Sequence, residues 1–218
     1  MKLCSIITGV TRPNASRVFE NLKNTISTLS GYDCNHYALT YDTDESTELK
    51  RMLDESDINI EFHVIDPITE NIGGYRGNNY RMFRCIELLG EKVKNLSSFD
   101  CVLRHRIDCE LNSIEIPSNI DKNCYYAPNA PWGIVFDNIA IMSPNVFKKV
   151  FTTKDKGFEE SDPHRALDNS ILNASVEKKP LNFEEKLYQS SESEFMGVPQ
   201  WSKQNRTFHY NDGWISPP

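Results

Sequence analysis

"FDCVLRHRIDCEL", residues 99–111, opens as an apolar run and then sets two arginines, a histidine and two carboxylates within seven positions. On a β-strand, residues two apart share a face. Cys101, Leu103, His105, Ile107 and Cys109 then fall on one side, and Arg104, Arg106, Asp108 and Glu110 on the other. One face reads as core and the other is all charge. For an edge strand, a solvated ladder of Arg–Asp pairs would account for that pattern. The flanking sequence places this strand elsewhere.

Upstream, strand and helix signals alternate. "KLCSIITGV" (2–10) is an apolar, β-rich run ended by "TRPN", and "ASRVFENLKNTISTLSG" sets Val18, Phe19, Leu22, Ile26 and Leu29 at helical spacing before Gly31. "DCNHYALTYDTD" (33–44) reads as a second strand with a polar tip, "ESTELKRMLDES" as a short helix, and "INIEFHVIDP" (58–67) as a strand stopped by Pro67. After a loop, "ITENIGGYRGNN", the segment "YRMFRCIELLGEKVKNL" (80–96) carries Met82, Phe83, Ile86, Leu89 and Val93 on one helical face. The order predicts an α/β domain with a mainly parallel sheet, the opening strand near its middle and its carboxylates at the carboxyl edge, where open α/β sheets bind ligands. Two carboxylates one residue apart can hold a divalent metal, which can bridge a diphosphate.

Beyond residue 111 the signals are less regular. "CYYAPN" (124–129) and "WGIVFDNIAIMS" (132–143) read as strands, "SPNVFKKVFTT" and "HRALDNSILNASVEK" as short helices, and "FHYNDGWISPP" as a loop-like tail. The 218 residues, 39% hydrophobic and 25% charged, suit one domain. A formal charge of −7 gives no electrostatic reason for nucleic-acid binding, so an anion site must be built locally. No apolar stretch approaches the about 20 residues that cross a bilayer, and no signal-peptide cleavage region stands out, so the expectation is a cytoplasmic chain without a membrane span. Cys4, Cys34, Cys85, Cys101, Cys109 and Cys124 have neither zinc nor disulfide-framework spacing and read as free thiols.

"FDCVLRHRIDCEL", with the "YRMFRCIELL" helix before it and "WGIVFDNIAIMSP" after it, resembles GT-A-type glycosyltransferases of microbial and viral origin, in which a strand of the form "YDYVIRxRxDxxF" supplies the Asp-x-Asp-like motif. The resemblance covers roughly residues 2–145. It implies a single Rossmann-like domain, with residues 1–111 binding a UDP- or GDP-linked sugar and residues 112–218 facing a glycan or glycoconjugate acceptor. It implies Mn²⁺ or Mg²⁺ on Asp108 and Glu110, with His209 completing the metal shell. Glu110 departs from the second Asp of the family pattern.

Position in the chain nominates the other contacts. Thr11 and Arg12 follow the first strand and Asp42 tips the second; Arg76 and Arg81 flank "GNNY", and Arg104 and Arg106 lie on the central strand. Arginine suits bidentate phosphate contacts. Asp42 or Asp44 is alternatively the cap of the following helix. Asp137, in "VFDNIAI", is the first candidate for the base that deprotonates an acceptor hydroxyl or for a sugar contact. Two other readings stay open: a nucleotidyltransferase-like enzyme, for which a single glycine after the first strand is a poor phosphate loop, and a non-catalytic carbohydrate-binding protein whose charged strand is structural.

Overall fold

The computed structural model describes residues 1–11, 14–68, 74–128, 135, 138–153, 163–187, 206–211 and 214–216, with backbone alone at 74–78, 184–187, 206–211 and 214–216. Strand β1 (Lys2–Thr8) leads into helix α1 (Ala15–Thr28), which Asn14 caps by accepting from the Arg17 amide at 2.9 Å. Strand β2 (Asp33–Tyr41), helix α2 (Asp44–Asp54) and strand β3 (Glu61–Ile65) follow. Neither Asp42 nor Asp44 caps α2. Thr43 does, in a reciprocal box with Ser46.

Helix α3 (Gly74–Lys92) begins six residues before the predicted start, so Arg76 as well as Arg81 lies on a helix. The glycines and asparagines there are poor helix formers, and tertiary packing overrides them: Asn79 is buried under the sheet edge. Strand β4 (Cys101–Arg106) then takes the centre of the sheet, pairing in parallel with β1.

The apolar-to-charged stretch is not one strand. The chain turns at Ile107 and Asp108, and strand β5 (Cys109–Ile114) joins a different sheet. Strand β6 (Cys124–Tyr126), strand β7 (Ile139–Met142), helix α4 (Pro144–Phe151), helix α5 (Pro163–Asn173), strand β8 (Glu177–Lys179) and strand β9 (Phe183–Leu187) complete the middle of the chain. The tail expected as a loop forms strands β10 (Arg206–Asn211) and β11 (Trp214–Ser216), paired antiparallel. Its aromatic and β-branched residues, Thr207, Phe208, Tyr210, Trp214 and Ile215, favour that outcome.

Among the described residues the main sheet runs β3-β2-β1-β4-β7-β6-β8, parallel from β3 to β4 and antiparallel at β4–β7. A second sheet runs β11-β10-β9-β5. The main sheet is covered on both faces. Cys4, Ile6, Val102, Ala140 and Met142 pack beneath Phe83, Ile86 and Leu89 of α3 together with α4 and α5. On the other face Leu3, Leu103 and Ile141 meet Leu111 and Phe183 of the second sheet, while Ile7 and Ala38 meet Val18, Leu22 and Leu49 of α1 and α2. The charged face of β4 lies under α3, as its central position requires, and Arg104 is only 2% exposed.

Candidate functional site

A cavity of about 430 Å³ opens at the carboxyl edge of β1, β2 and β4, under the first turns of α3. Thr8, Gly9 and Val10 form one wall, Tyr41 another, and Asn79, Arg81, Met82 and Cys85 descend from α3. Arg104, Arg106 and Asp108 supply the floor, and Pro163 closes the rim. The location is the one that the chain order of an open α/β sheet prescribes.

Asp108 is 2% exposed and turns both oxygens to Arg106, at 2.8 Å from Nε and 2.7 Å from Nη2. This fork-to-fork pair fixes the guanidinium plane. The Arg106 amide donates to the carbonyl of Asn138 at 3.1 Å, which ties the end of β4 to the approach of β7. Arg104 and Arg81 bring two further guanidinium groups to the same cavity. Gly9 has φ +148°, a region side chains rarely adopt, and an added Cβ would lie 3.0 Å from Ile107 Cγ2. The backbone at the end of β1 can thus approach a ligand closely.

Two neutral groups complete the lining. The Cys85 thiol donates to the Tyr41 hydroxyl at 3.0 Å. Burial pushes both pKa values up, so neither group ionises near neutral pH. The charge of the described lining is carried by three guanidinium groups and one carboxylate.

The remaining sequence candidates disperse. Glu110 lies on β5, in the second sheet, where its Oε1 accepts from Asn24 of α1 at 2.8 Å; it is not part of the cavity wall. Thr11 is buried with its hydroxyl 3.1 Å from that of Thr40, and Asp42 is exposed with its amide on the Ile65 carbonyl at 2.8 Å. Arg12 and Asp137 lie outside the described residues, as do the side chains of Arg76 and His209; the backbone of His209 lies on β10 opposite Glu184 of β9. Sequence reading passes over Gly9, Tyr41, Asn79 and Cys85. The lone glycine straight after β1 is the available signal for the first, and the other three carry none.

A Mn²⁺ or Mg²⁺ ion takes several oxygen ligands. Among the described residues no three His, Cys, Asp or Glu side chains converge, Asp108 gives both oxygens to Arg106, and Glu110 sits on the other sheet. The described side chains alone therefore do not make up a complete site for such an ion.

No family model matches the chain, and no curated protein sequence matches it. Solved structures do. The galactosyltransferase LgtC, crystallised with donor and acceptor sugar analogues, aligns at a TM-score of 0.50 and 11% identity, over 81% of this chain and 72% of that one. An active-site variant of LgtC aligns at 0.51 and 12% identity, with the same coverage. The fold is that of GT-A-type glycosyltransferases. The apo form of the glycosyltransferase GlyE of Streptococcus pneumoniae aligns at 0.50 and 11% identity, over 82% of this chain but 45% of GlyE. At such identities the likeness to the GT-A proteins is one of fold.

Proposed function

We propose that the chain is a glycosyltransferase that takes a sugar from a nucleotide-linked donor and passes it to a glycan or glycoconjugate acceptor. The observation that carries this reading is the cavity at the carboxyl edge of β1 and β4, where Arg81, Arg104 and Arg106 converge over one buried carboxylate on a glycosyltransferase fold. Guanidinium groups match phosphate oxygens in geometry and charge.

In this reading the donor diphosphate lies on the three arginines, and Asp108 orients Arg106. Gly9 lets the backbone meet the phosphates. Thr11, Arg12 and Asp42 lie toward the nucleoside and Arg76 toward the phosphate or sugar. As the sugar leaves, charge builds on the diphosphate, and fixed guanidinium groups stabilise it without reorganising. Asp137 takes the acceptor proton, and the acceptor lies on the half formed by residues 112–218.

UDP- and GDP-sugars titrated by calorimetry against the native chain and against Arg104→Met test the reading. Saturable binding of one donor, weakened in a variant of native circular dichroism, supports it. Absence of binding by every donor overturns it.

The Arg106–Asp108 pair favours a second reading, a non-catalytic protein in which this pair is purely structural. In that case Asp108→Asn lowers the melting temperature and no donor binds.

A further inference from the structure

Tyr41 and Cys85 are neutral groups in a cavity of arginines, and they meet each other across its wall. Residues 37, 39 and 41 share one face of β2, the face that lies under α3. Tyr37 and Leu39 are buried there, and Tyr41, the last residue of the strand, packs half-buried at the margin. Its hydroxyl reaches α3 at Cys85, one helical turn on from Arg81, at 3.0 Å. Both side chains line the cavity.

A phenol has two lone pairs and one proton to give. The Cys85 thiol donates to the oxygen of Tyr41, and the hydroxyl's own proton has no acceptor among the described residues. Burial pushes the Tyr41 pKa up, against a smaller opposing pull from the Arg81 charge, so the proton stays on. Tyr41 is thus a neutral hydrogen-bond donor whose oxygen side is held by α3, and its proton is left for an acceptor on a ligand.

The sheet register says which part of a ligand lies there. Thr8 of β1 is in register with Leu39 of β2 on one side and with Arg106 of β4 on the other. The ends of β2 and β4 are therefore two strand spacings apart, about 10 Å, and Tyr41 lies two residues beyond Leu39. A diphosphate seated on Arg104 and Arg106 is too short to fill that span. The group it carries would extend to the β2 edge.

We propose that Tyr41 is a specificity residue of the donor site, its hydroxyl donating to an oxygen of the nucleoside half of the ligand, while Cys85 acts through it as a positioning residue. The inference rests on the donor-binding reading above and adds how the site tells a nucleoside diphosphate from bare diphosphate. Neither group moves a proton in the transfer.

The experiment is calorimetric titration of the full chain with UDP, GDP and inorganic diphosphate at one fixed Mg²⁺ concentration. Tyr41→Phe, Cys85→Ala and Cys85→Ser are titrated beside it, and the melting temperature of each is read first. Tyr41→Phe is expected to bind its nucleoside diphosphate roughly threefold to tenfold more weakly, the scale of one neutral hydrogen bond, and to bind inorganic diphosphate as the native chain does. Cys85→Ala is expected to show part of the same loss, and Cys85→Ser, which keeps a donor, to restore it. Equal weakening of both ligands in Tyr41→Phe overturns the proposal by placing the hydroxyl on the phosphates or in the fold alone. Undiminished nucleoside diphosphate binding in that variant overturns it too. In both cases the native chain still binds UDP or GDP, and the donor-binding reading stands. Native binding by Cys85→Ala overturns the part given to Cys85. Absence of UDP and GDP binding by the native chain overturns the proposal and the donor-binding reading together.

Discussion

Asp108 stands where β4 ends and the chain turns toward the second sheet, and its burial makes it expensive to change. Replacing it with Asn keeps the shape but removes the charge that the Arg106 fork faces. Breaking one side of such a buried pair costs about 3–5 kcal/mol, so Asp108→Asn is expected to melt well below the native chain in a differential scanning calorimeter. Gly9 is the other residue with no substitute. Gly9→Ala places a Cβ 3.0 Å from Ile107 Cγ2 on a backbone at φ +148°, and is expected to destabilise by about 1–3 kcal/mol and to weaken nucleoside diphosphate binding. Denaturant unfolding and titration of the same preparation check both effects.

Helix contacts set the next scale. Gly90 on α3 packs against α4: a Cβ there would meet Phe147 Cε1 at 2.5 Å. That ring is not free to yield, since Phe147 is 2% exposed and its centroid is 5.2 Å from that of Phe151. Gly90→Ala, which would normally favour a helix, is here expected to cost about 1–3 kcal/mol through overpacking. A rise in melting temperature would show that α4 can move aside. At the start of α2, Thr43→Ala removes one arm of the capping box and is expected to cost about 1 kcal/mol in urea unfolding.

The same elements show what was legible from residues alone. The β-α-β-α-β order and the central β4 follow from periodicity and turn residues, because each of those segments buries an apolar face long enough to show its period. The division at Ile107–Asp108 left no such mark. Cys109 and Leu111 continue the apolar alternation, so a strand that changes sheets reads like one that continues. The early start of α3 was hidden by Gly77 and Asn78, whose propensity packing overrides. Within the site, Arg104, Arg106 and Asp108 stood out as charge following an apolar strand, whereas Tyr41 and Cys85 look like any buried residues. Glu110 was drawn in by its spacing from Asp108, and the turn between them sends it to Asn24 on α1.

At the scale of the whole molecule, stability depends on pH through a histidine distant from the cavity. Burial lowers the pKa of His36 on β2 to about 4, from an ordinary value near 6.5. The folded chain therefore resists protonation that the unfolded chain accepts. Stability from this group is complete above pH 6.5 and is lost as pH falls from there toward 4, by no more than about 3 kcal/mol. Denaturation midpoints measured across that range should fall for the native chain and fall less for His36→Gln. The thiols behave alike at high pH. Burial pushes Cys34 and Cys101 up to about 12, so native protein at mildly alkaline pH should react slowly with iodoacetamide there and rapidly once unfolded.

The topology also has a consequence for synthesis. The parallel strands β1 to β4 lie within residues 2–106, but the antiparallel neighbour of β4 is β7, made of residues 139–142. A nascent chain on the ribosome therefore holds an open edge at β4, the central strand, until some 30 further residues have emerged, about the interval in which a trigger-type chaperone or a neighbouring chain could pair with it.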